Sequence, residues 1–212
     1  MFHISSLPSF SLYSCVRISK NELKYLRSLS QKKFRAIEKK FVLEGWRALK
    51  EALNSSFEIE YVAVLTKFLE DPDYRNITEQ IEKRHVGIKE LSEVELRQLS
   101  ETVNAQGVIA LGRQKKYELD EQLLKRATMI VAADAVSDPG NVGSILRSSD
   151  WFGADIVLLG KGCVELYNEK VIRSTAGSIF HLPVVEGVDL LTLVPDLRGR
   201  GYTVVALSGD GK

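Results

Sequence analysis

The chain of 212 residues contains little cysteine and histidine and no long apolar run, and each shortage excludes a class of protein. Its two cysteines, Cys15 and Cys163, cannot build a disulfide framework, which favours a reducing compartment. With three scattered histidines there is no cluster at metal-ligand spacing, so no metal site is expected. No stretch approaches the roughly 18 consecutive apolar residues of a membrane span. The rest is an ordinary globular composition, 44% hydrophobic and 27% charged.

Charge is nearly balanced over the whole chain, with a net value of +1, but it is uneven along it. Residues 17–50 hold eleven basic side chains against three acidic ones. A local excess of this size favours a polyanion, because each phosphate that is neutralised releases counterions. A solvated helix face would carry the same excess, and the charges alone leave both interpretations open.

The first sixteen residues are rich in serine and contain no acid. They lack the basic start and the unbroken apolar core of a secretory signal. Organelle transit peptides have a similar composition, but no basic residue precedes Arg17, and an upstream start codon or a frayed tail explains the stretch as well. We expect a poorly ordered leader and a cytoplasmic protein.

Helical and strand patterns interleave in the first half. Leu23, Leu26 and Leu29 recur at helical spacing behind Ser19, which forms a predicted capping box with Glu22. Strands are predicted at 39–45, 59–66, within 85–91 and at 107–112, and further helices at 46–53, 71–84 and 92–99. This alternation predicts a small, compact α/β domain.

The predicted domain organisation has a first domain over residues 17–112, a polar linker over 113–127 and a second domain over 128–212. In the second domain strands are predicted at 129–134, 155–160, 181–185 and 202–207, with helices at 141–152, 168–176 and 189–198. Apolar strands that alternate with helices are typical of a parallel sheet covered on both faces. Ligands of such sheets bind beyond the carboxyl ends of the strands, which directs attention to the loops there.

The loop after the first of these strands leads into an unusual helix. Asp138 is the predicted N-cap, with Pro139 at the first helical position. Helical spacing separates the apolar residues Val142, Ile145 and Leu146 from the polar residues Asn141, Ser144, Arg147 and Ser148. An amide, hydroxyls and a guanidinium near a helix N-terminus favour an anion. A merely solvated face would more usually carry Glu and Lys.

Generic cofactor motifs fail in this domain. Neither GNVGSI (140–145) nor GKGCVE (160–165) has the glycine spacing of a dinucleotide-binding turn, which disfavours a Rossmann-type reductase. The segment ALSGDGK (206–212) lacks the first glycine of a P-loop, and no G-x-S-x-G elbow of a hydrolase occurs.

Four segments resemble one known family, the SpoU/TrmH-type RNA 2′-O-methyltransferases of the SPOUT superfamily. DPGNVGSILRSSDWFGAD (138–155) is similar to their first signature motif, D-P-x-N-x-G-x-x-x-R followed by F-G. NEKVIRSTAGSIFHLPV (168–184) resembles their next stretch, with Glu169 where proline is usual. LSQKKFRAIEKKFVLEGWRALKEAL (29–53) and SETVNAQGVIAL (100–111) are similar to their N-terminal substrate-binding domain.

The resemblance implies methyl transfer from S-adenosylmethionine to a ribose 2′-hydroxyl of structured RNA, ribosomal or transfer, by a homodimer. It places Arg147 at the target nucleotide, as a general base or an electrostatic clamp, and Asn141 in holding the geometry of the site. Structural roles stay open: Arg147 could form a surface ion pair with Asp150 or Asp138, and Asn141 could simply begin the helix. A non-catalytic RNA-binding protein is the competing hypothesis from another class.

The basic segment also gains a role from the resemblance. Lys32, Lys33 and Arg35 fall where the family's RNA-binding domain carries its basic signature, so they are expected, with Arg147, to contact phosphates. Arg173 could face RNA or form a salt bridge at a helix end.

The fold implied is a small α/β RNA-binding domain followed by a parallel-sheet α/β SPOUT domain of the knotted type, truncated before the knot. Family members continue into two further motifs that form the knot and most of the cofactor pocket, and this chain stops before either. Leu207 and Ser208 are the remaining candidates for a wall of the S-adenosylmethionine pocket. We therefore expect the chain as given to bind that cofactor poorly and not to turn over.

Overall fold

The computed structural model describes residues 16–69, 71–100, 102 and 105–207. The chain divides into two compact units between Gln114 and Lys115. Apart from Val16, the predicted leader lies outside the described residues. Within the described ranges, no helix combines the length and the apolarity needed to cross a bilayer. The same ranges hold no group of three or more His, Cys, Asp or Glu side chains that could bind a metal ion.

The first unit contains the elements that the sequence predicts, in the predicted order, together with a short initial strand and one further short helix. They are β1 (Val16–Arg17), α1 (Lys20–Ser28), α2 (Lys32–Glu38), β2 (Lys40–Glu44), α3 (Trp46–Leu53), β3 (Ile59–Leu65), α4 (Arg75–Lys83), β4 (Gly87–Leu91), α5 (Glu93–Leu99) and β5 (Val108–Arg113). Single 3₁₀ turns lie at Thr66–Phe68 and Pro72–Tyr74.

The sheet of the first unit has the order β1-β4-β3-β5-β2 over the residues described. Strand β3 pairs parallel with β4 and antiparallel with β5, so that Val62 lies opposite both Ile88 and Ala110. The two central strands are almost wholly buried, as their β-branched and apolar runs predict. Helices α1 and α5 cover one face, where Leu26, Leu29 and Leu96 join a common apolar cluster.

Capping boxes begin both of those helices. The Ser19 hydroxyl accepts from the Glu22 N–H, and the Glu22 carboxylate accepts from the Ser19 N–H, which confirms the predicted box. Ser92 and Glu95 repeat the arrangement at α5. Each box satisfies two backbone N–H groups that a helix start leaves without partners, and so fixes where the helix begins.

The second unit is a layered α/β structure. Its elements are α6 (Glu121–Arg126), β6 (Ile130–Ala133), α7 (Pro139–Trp151), β7 (Ile156–Gly160), α8 (Glu169–Thr175), β8 (Val184–Val188) and α9 (Leu190–Gly199), with a 3₁₀ turn at Ser178–Phe180. Its described strands pair parallel in the order β6-β7-β8, with Val157 opposite both Val131 and Val184. The central strand β7 is buried along its whole length. The predicted parallel sheet is confirmed.

The prediction of a fourth strand at 202–207 is wrong, because this segment forms no strand in the described structure. Tyr202 is anchored, because its hydroxyl lies 2.7 Å from the carbonyl oxygens of both Leu124 and Ala127. Beyond it the backbone is neither strand nor helix, and Val205 and Leu207 are exposed. A β-branched sequence becomes a strand only where another backbone pairs with it, and sequence does not show whether a partner is present.

The segment 113–127, expected to be a linker, belongs in large part to the second unit. Helix α6 lies within it, and Asp120 caps that helix by accepting from the Leu123 N–H. Tyr117, Leu119 and Leu123 pack against the core around Ile156 and Leu158. Charged residues surround these apolar side chains in the sequence, and for this reason the segment has the composition of a polar linker.

Glu22 should make the first unit sensitive to acid. Its pKa is lowered from 4.5 to about 2, first by a hydrogen bond from Lys89 and then by the Ser19 N–H. A carboxylate whose pKa falls on folding stabilises the fold above its unfolded pKa, and this contribution is lost as the pH falls from about 4.5 towards 2. We expect Glu22→Gln to lower the free energy of urea unfolding at about pH 7 and to matter less at about pH 3. An equal loss at both pH values would contradict this assignment.

Candidate functional site

The carboxyl edge of the parallel sheet is built from loops that are tied to one another. The Lys161 N–H donates to the Val188 carbonyl at 3.1 Å, and the Val164 N–H donates to the Val136 carbonyl at 2.9 Å. Lys161 also forms an ion pair with Asp189 at 2.6 Å, which lowers the pKa of Asp189. These contacts hold the loops after β6, β7 and β8 together as one rim.

Helix α7 starts from this rim as the sequence predicts. The Asp138 carboxylate accepts a hydrogen bond from the Asn141 N–H at 2.9 Å, and Pro139 takes the first helical position. Proline costs nothing there, because the N–H it lacks would have no partner within the helix. The cap ends the five-residue loop 134–138, which joins the carboxyl end of β6 to the start of α7.

The two faces of α7 separate as predicted. Val142 and Leu146 are completely buried, and Ile145 is half-buried. Asn141, Ser144, Arg147 and Ser148 are exposed. Arg147 lies six positions after Asn141, which corresponds to about 9 Å along the helix axis. An amide and a guanidinium therefore share one outward strip, less than two turns apart.

Gly143 explains why this strip and no other faces outward. A Cβ atom at Gly143 would lie 2.3 Å from the Ser174 Cβ and 3.0 Å from the Val171 carbonyl oxygen, so α7 and α8 touch backbone to backbone here. Sequence reasoning missed this contact, although the glycine of the D-P-x-N-x-G pattern was its signal. Helix α8 is itself fixed by Asn168, whose side chain accepts from the N–H groups of Lys170 and Val171.

Arg147 is exposed, and the structure records no ion pair or hydrogen bond of its side chain with any described residue. Both carboxylates that could have paired with it have other partners. The Asp150 Oδ2 atom lies 3.0 Å from the His181 Nδ1 atom, an interaction that the sequence did not suggest. Asp138 caps α7 and lies 3.9 Å from the Lys170 Nζ atom. The guanidinium is thus available to an external carboxylate or phosphate.

Of the two predicted cofactor residues, the structure describes only Leu207. Leu207 is 96% exposed in the described structure, and its cofactor role stays a prediction. Ser208 lies outside the described residues. The loop after the predicted fourth strand was the basis of both assignments, and that strand does not form.

The basic residues of the first unit divide into two kinds. Lys32 and Lys33 are exposed at the start of α2, as a phosphate contact requires. The prediction that Arg35 contacts phosphates is wrong. Arg35 is 2% exposed, and its guanidinium donates to the carbonyls of Leu29 and Ser30, each at 2.6 Å. It closes the C-terminal end of α1 instead of facing a ligand. In the second unit, Arg173 lies 3.9 Å from Glu169, the salt-bridge alternative.

Comparison with known proteins connects both units to RNA-modifying enzymes. The profile of the SpoU rRNA Methylase family matches residues 128–212, and that of the MRM3-like substrate binding domain matches residues 20–110. The 23S rRNA (guanosine(2553)-2'-O)-methyltransferase RlmP of Bacillus subtilis (strain 168) is 32% identical over 192 residues, which cover 89% of this chain and 71% of that protein.

A vertebrate enzyme and a bacterial enzyme of known structure are also similar to this chain. The mitochondrial rRNA methyltransferase 3 of Xenopus tropicalis is 30% identical over 177 residues, covering 82% of this chain and 41% of the relative. This chain therefore spans about two fifths of that vertebrate relative. The AdoMet-bound rRNA methyltransferase from Sinorhizobium meliloti shares the fold with a TM-score of 0.70 at 23% identity, over 86% of this chain and 68% of that one.

Gly143→Ala should destabilise the second unit by about 1–3 kcal/mol, because the new methyl group meets the Ser174 Cβ and backbone atoms of α8, which cannot move aside. Gly199→Ala is the matched control: Gly199 ends α9 and has no neighbouring atom within 4 Å of an added Cβ. Alanine should be neutral there, or stabilising by up to about 1 kcal/mol. Calorimetric unfolding of both variants measures the difference, and similar melting temperatures would contradict the close contact between α7 and α8.

Arg35→Ala should destabilise the first unit by about 2–3 kcal/mol, because two carbonyls lose a charged hydrogen-bond donor inside the fold. Lys33→Ala, two positions away and exposed, should change the free energy of unfolding by less than about 0.5 kcal/mol. Urea unfolding compares the two. Equal stability of the two variants would contradict the assignment of a structural role to Arg35.

Proposed function

The chain belongs to the SpoU/TrmH-type RNA methyltransferases of the SPOUT superfamily, and from this premise we propose that it methylates a ribose 2′-hydroxyl of ribosomal RNA. The single observation that carries the proposal for the site is the exposed strip of α7. There Asn141 and Arg147 are both exposed on the helix that begins at the carboxyl edge of the sheet, while the nearby acids are engaged with other groups. This is where ligands of parallel α/β sheets bind.

S-Adenosylmethionine, when bound, supplies the methyl group as an electrophile on a positively charged sulfur. The task of the protein is to hold the ribose hydroxyl in line with that group, and positioning of this kind can supply roughly 7–11 kcal/mol of the barrier. The rigid rim and the capped start of α7 support such positioning, because neither can shift without breaking several hydrogen bonds.

Arg147 is proposed as an electrostatic clamp on the phosphate beside the target ribose. A guanidinium keeps its charge in proteins and offers paired donors that match a phosphate, which favours the role of clamp over that of base. Its positive charge would also favour release of the hydroxyl proton to water. Asn141 is proposed to orient the nucleotide through its exposed amide.

In the first unit, Lys32 and Lys33 are proposed to contact the RNA backbone. Both are exposed, and phosphate contacts of this kind set position and affinity without reading sequence. The homodimer implied by the resemblance and the cytoplasmic location stay predictions.

The decisive test uses protein made from the complete reading frame and follows transfer of a labelled methyl group to ribosomal RNA. Arg147→Ala should lower the rate by about 10²–10³-fold, the usual loss when one preorganised donor at a reacting centre is removed. Arg198→Ala removes an exposed arginine from helix α9 of the same unit and should leave the rate unchanged.

Two results would contradict the proposal. Full activity of Arg147→Ala would remove this residue from the reaction. Wild-type protein that binds ribosomal RNA but neither binds the methyl donor nor transfers its methyl group would favour the non-catalytic RNA-binding alternative. Calorimetry with S-adenosylmethionine supplies the binding measurement.

A further inference from the structure

A groove of about 690 Å³ runs between helices α1 and α5 of the first unit. One wall carries Arg17, Lys20, Lys24 and Arg27. The opposite wall is the outer side of α5, with Val94 and Glu95. We name this surface the α1–α5 groove, and it involves neither the start of α2 nor any residue proposed above to contact RNA.

The spacing of the α1 cations makes them one row. Lys20, Lys24 and Arg27 stand at intervals of four and three residues, which places them on a single face of the helix. All three are exposed. The helix continues through both intervals without a break, so the row spans about 10 Å along its axis.

The acids that could neutralise this row are engaged with other groups. Glu22, on the same helix, binds Lys89 and the Ser19 N–H. On α5, Glu93 forms an ion pair with Lys67 at 2.7 Å. For Lys20, Lys24 and Arg27, the structure records no ion pair or side-chain hydrogen bond with a described residue.

Glu95 is the one carboxylate among the described residues that line the groove. It accepts hydrogen bonds from the Ser92 N–H and hydroxyl, at 2.8 and 2.7 Å, and these hydrogen bonds lower its pKa. Arg17 approaches it from the opposite wall, at 3.6 Å. The groove therefore keeps a clear excess of positive charge.

The walls of the groove are fixed before any ligand arrives. Leu23, on its floor, belongs to the same apolar cluster as Leu26 and Leu96, so α1 and α5 are anchored on one core. Both helices also begin with a capping box. Because the backbone that carries the cations is already ordered, binding of an anionic ligand does not cost the conformational entropy of ordering it.

We infer that the α1–α5 groove binds the phosphodiester backbone of the RNA substrate, as a second contact surface of the first unit; this inference rests on the proposed function. Its described lining includes no aromatic ring on which a base could stack, so it suits recognition of backbone and shape. The row of cations fits a chain of phosphates better than a single small anion, which would engage only part of it.

The test compares two triple variants of the full chain. Lys20→Ala, Lys24→Ala and Arg27→Ala together remove the row, and Lys50→Ala, Arg75→Ala and Lys83→Ala remove the same charges from exposed positions on α3 and α4. Alanine favours helix, so neither variant should lose the fold, which circular dichroism verifies. Binding to a transcript of a large-subunit ribosomal RNA fragment is measured by fluorescence anisotropy over a range of salt concentrations.

The groove variant should bind about tenfold or more weakly, and the slope of log affinity against log salt should become shallower by about 2–3, one unit for each phosphate that the row no longer neutralises. The control variant should stay within about twofold of the wild type. In the wild-type protein, bound RNA should also protect Lys20 and Lys24, but not Lys50 and Lys83, from acetylation detected by mass spectrometry.

Equal losses in the two variants, or the absence of protection at Lys20 and Lys24, would overturn the groove assignment while leaving the proposed methylation intact. Competition by poly-glutamate as strong as that by RNA would overturn it too, because the groove would then select charge alone. A wild-type chain that binds no ribosomal RNA would instead overturn the proposed function, and the groove assignment with it.

Discussion

The backbone contact between α7 and α8 determines which side of α7 can meet a ligand. Only a residue without a Cβ lets the two helices approach this closely at Gly143. With Val142 and Leu146 buried on the same helix, the outward strip is left to Asn141 and Arg147. A larger residue would push α7 away from α8 and move the guanidinium with it, and displacements of about 1 Å are enough to impair a reacting centre.

Much of this arrangement could be predicted from sequence because its signals are local. The capping box at Ser19, the Asp138 cap and the division of α7 into two faces each depend on residues within a few positions of one another. Helix periodicity places Arg147 on the polar strip without any knowledge of the fold. The strands β3, β5 and β7 were equally clear, since strands buried along most of their length are mostly apolar, with Glu60 and Arg113 as the exceptions.

The features that sequence did not reveal depend on partners that helix or strand periodicity does not specify. Arg35 looks like a surface cation until the carbonyls of Leu29 and Ser30 are seen to surround its guanidinium. The segment 202–207 has the composition of a strand, but composition cannot supply a neighbouring backbone. Sequence likewise left open whether Arg147 pairs with Asp150. The answer depends on His181, which lies thirty-one residues beyond Asp150 and engages its carboxylate.

In both units, acids near the cations proposed to bind RNA are engaged with other side chains. In the first unit Glu22 and Glu93 are held by Lys89 and Lys67, and in the second Asp150 is held by His181. An acid in contact with a ligand-binding cation would have to be displaced before a phosphate could bind, and the energy of that contact would be subtracted from the affinity. When nearby acids are committed elsewhere, exposed cations keep their full attraction for RNA. The fold achieves this with polar contacts at its surface, whose effect is to leave selected cations unpaired.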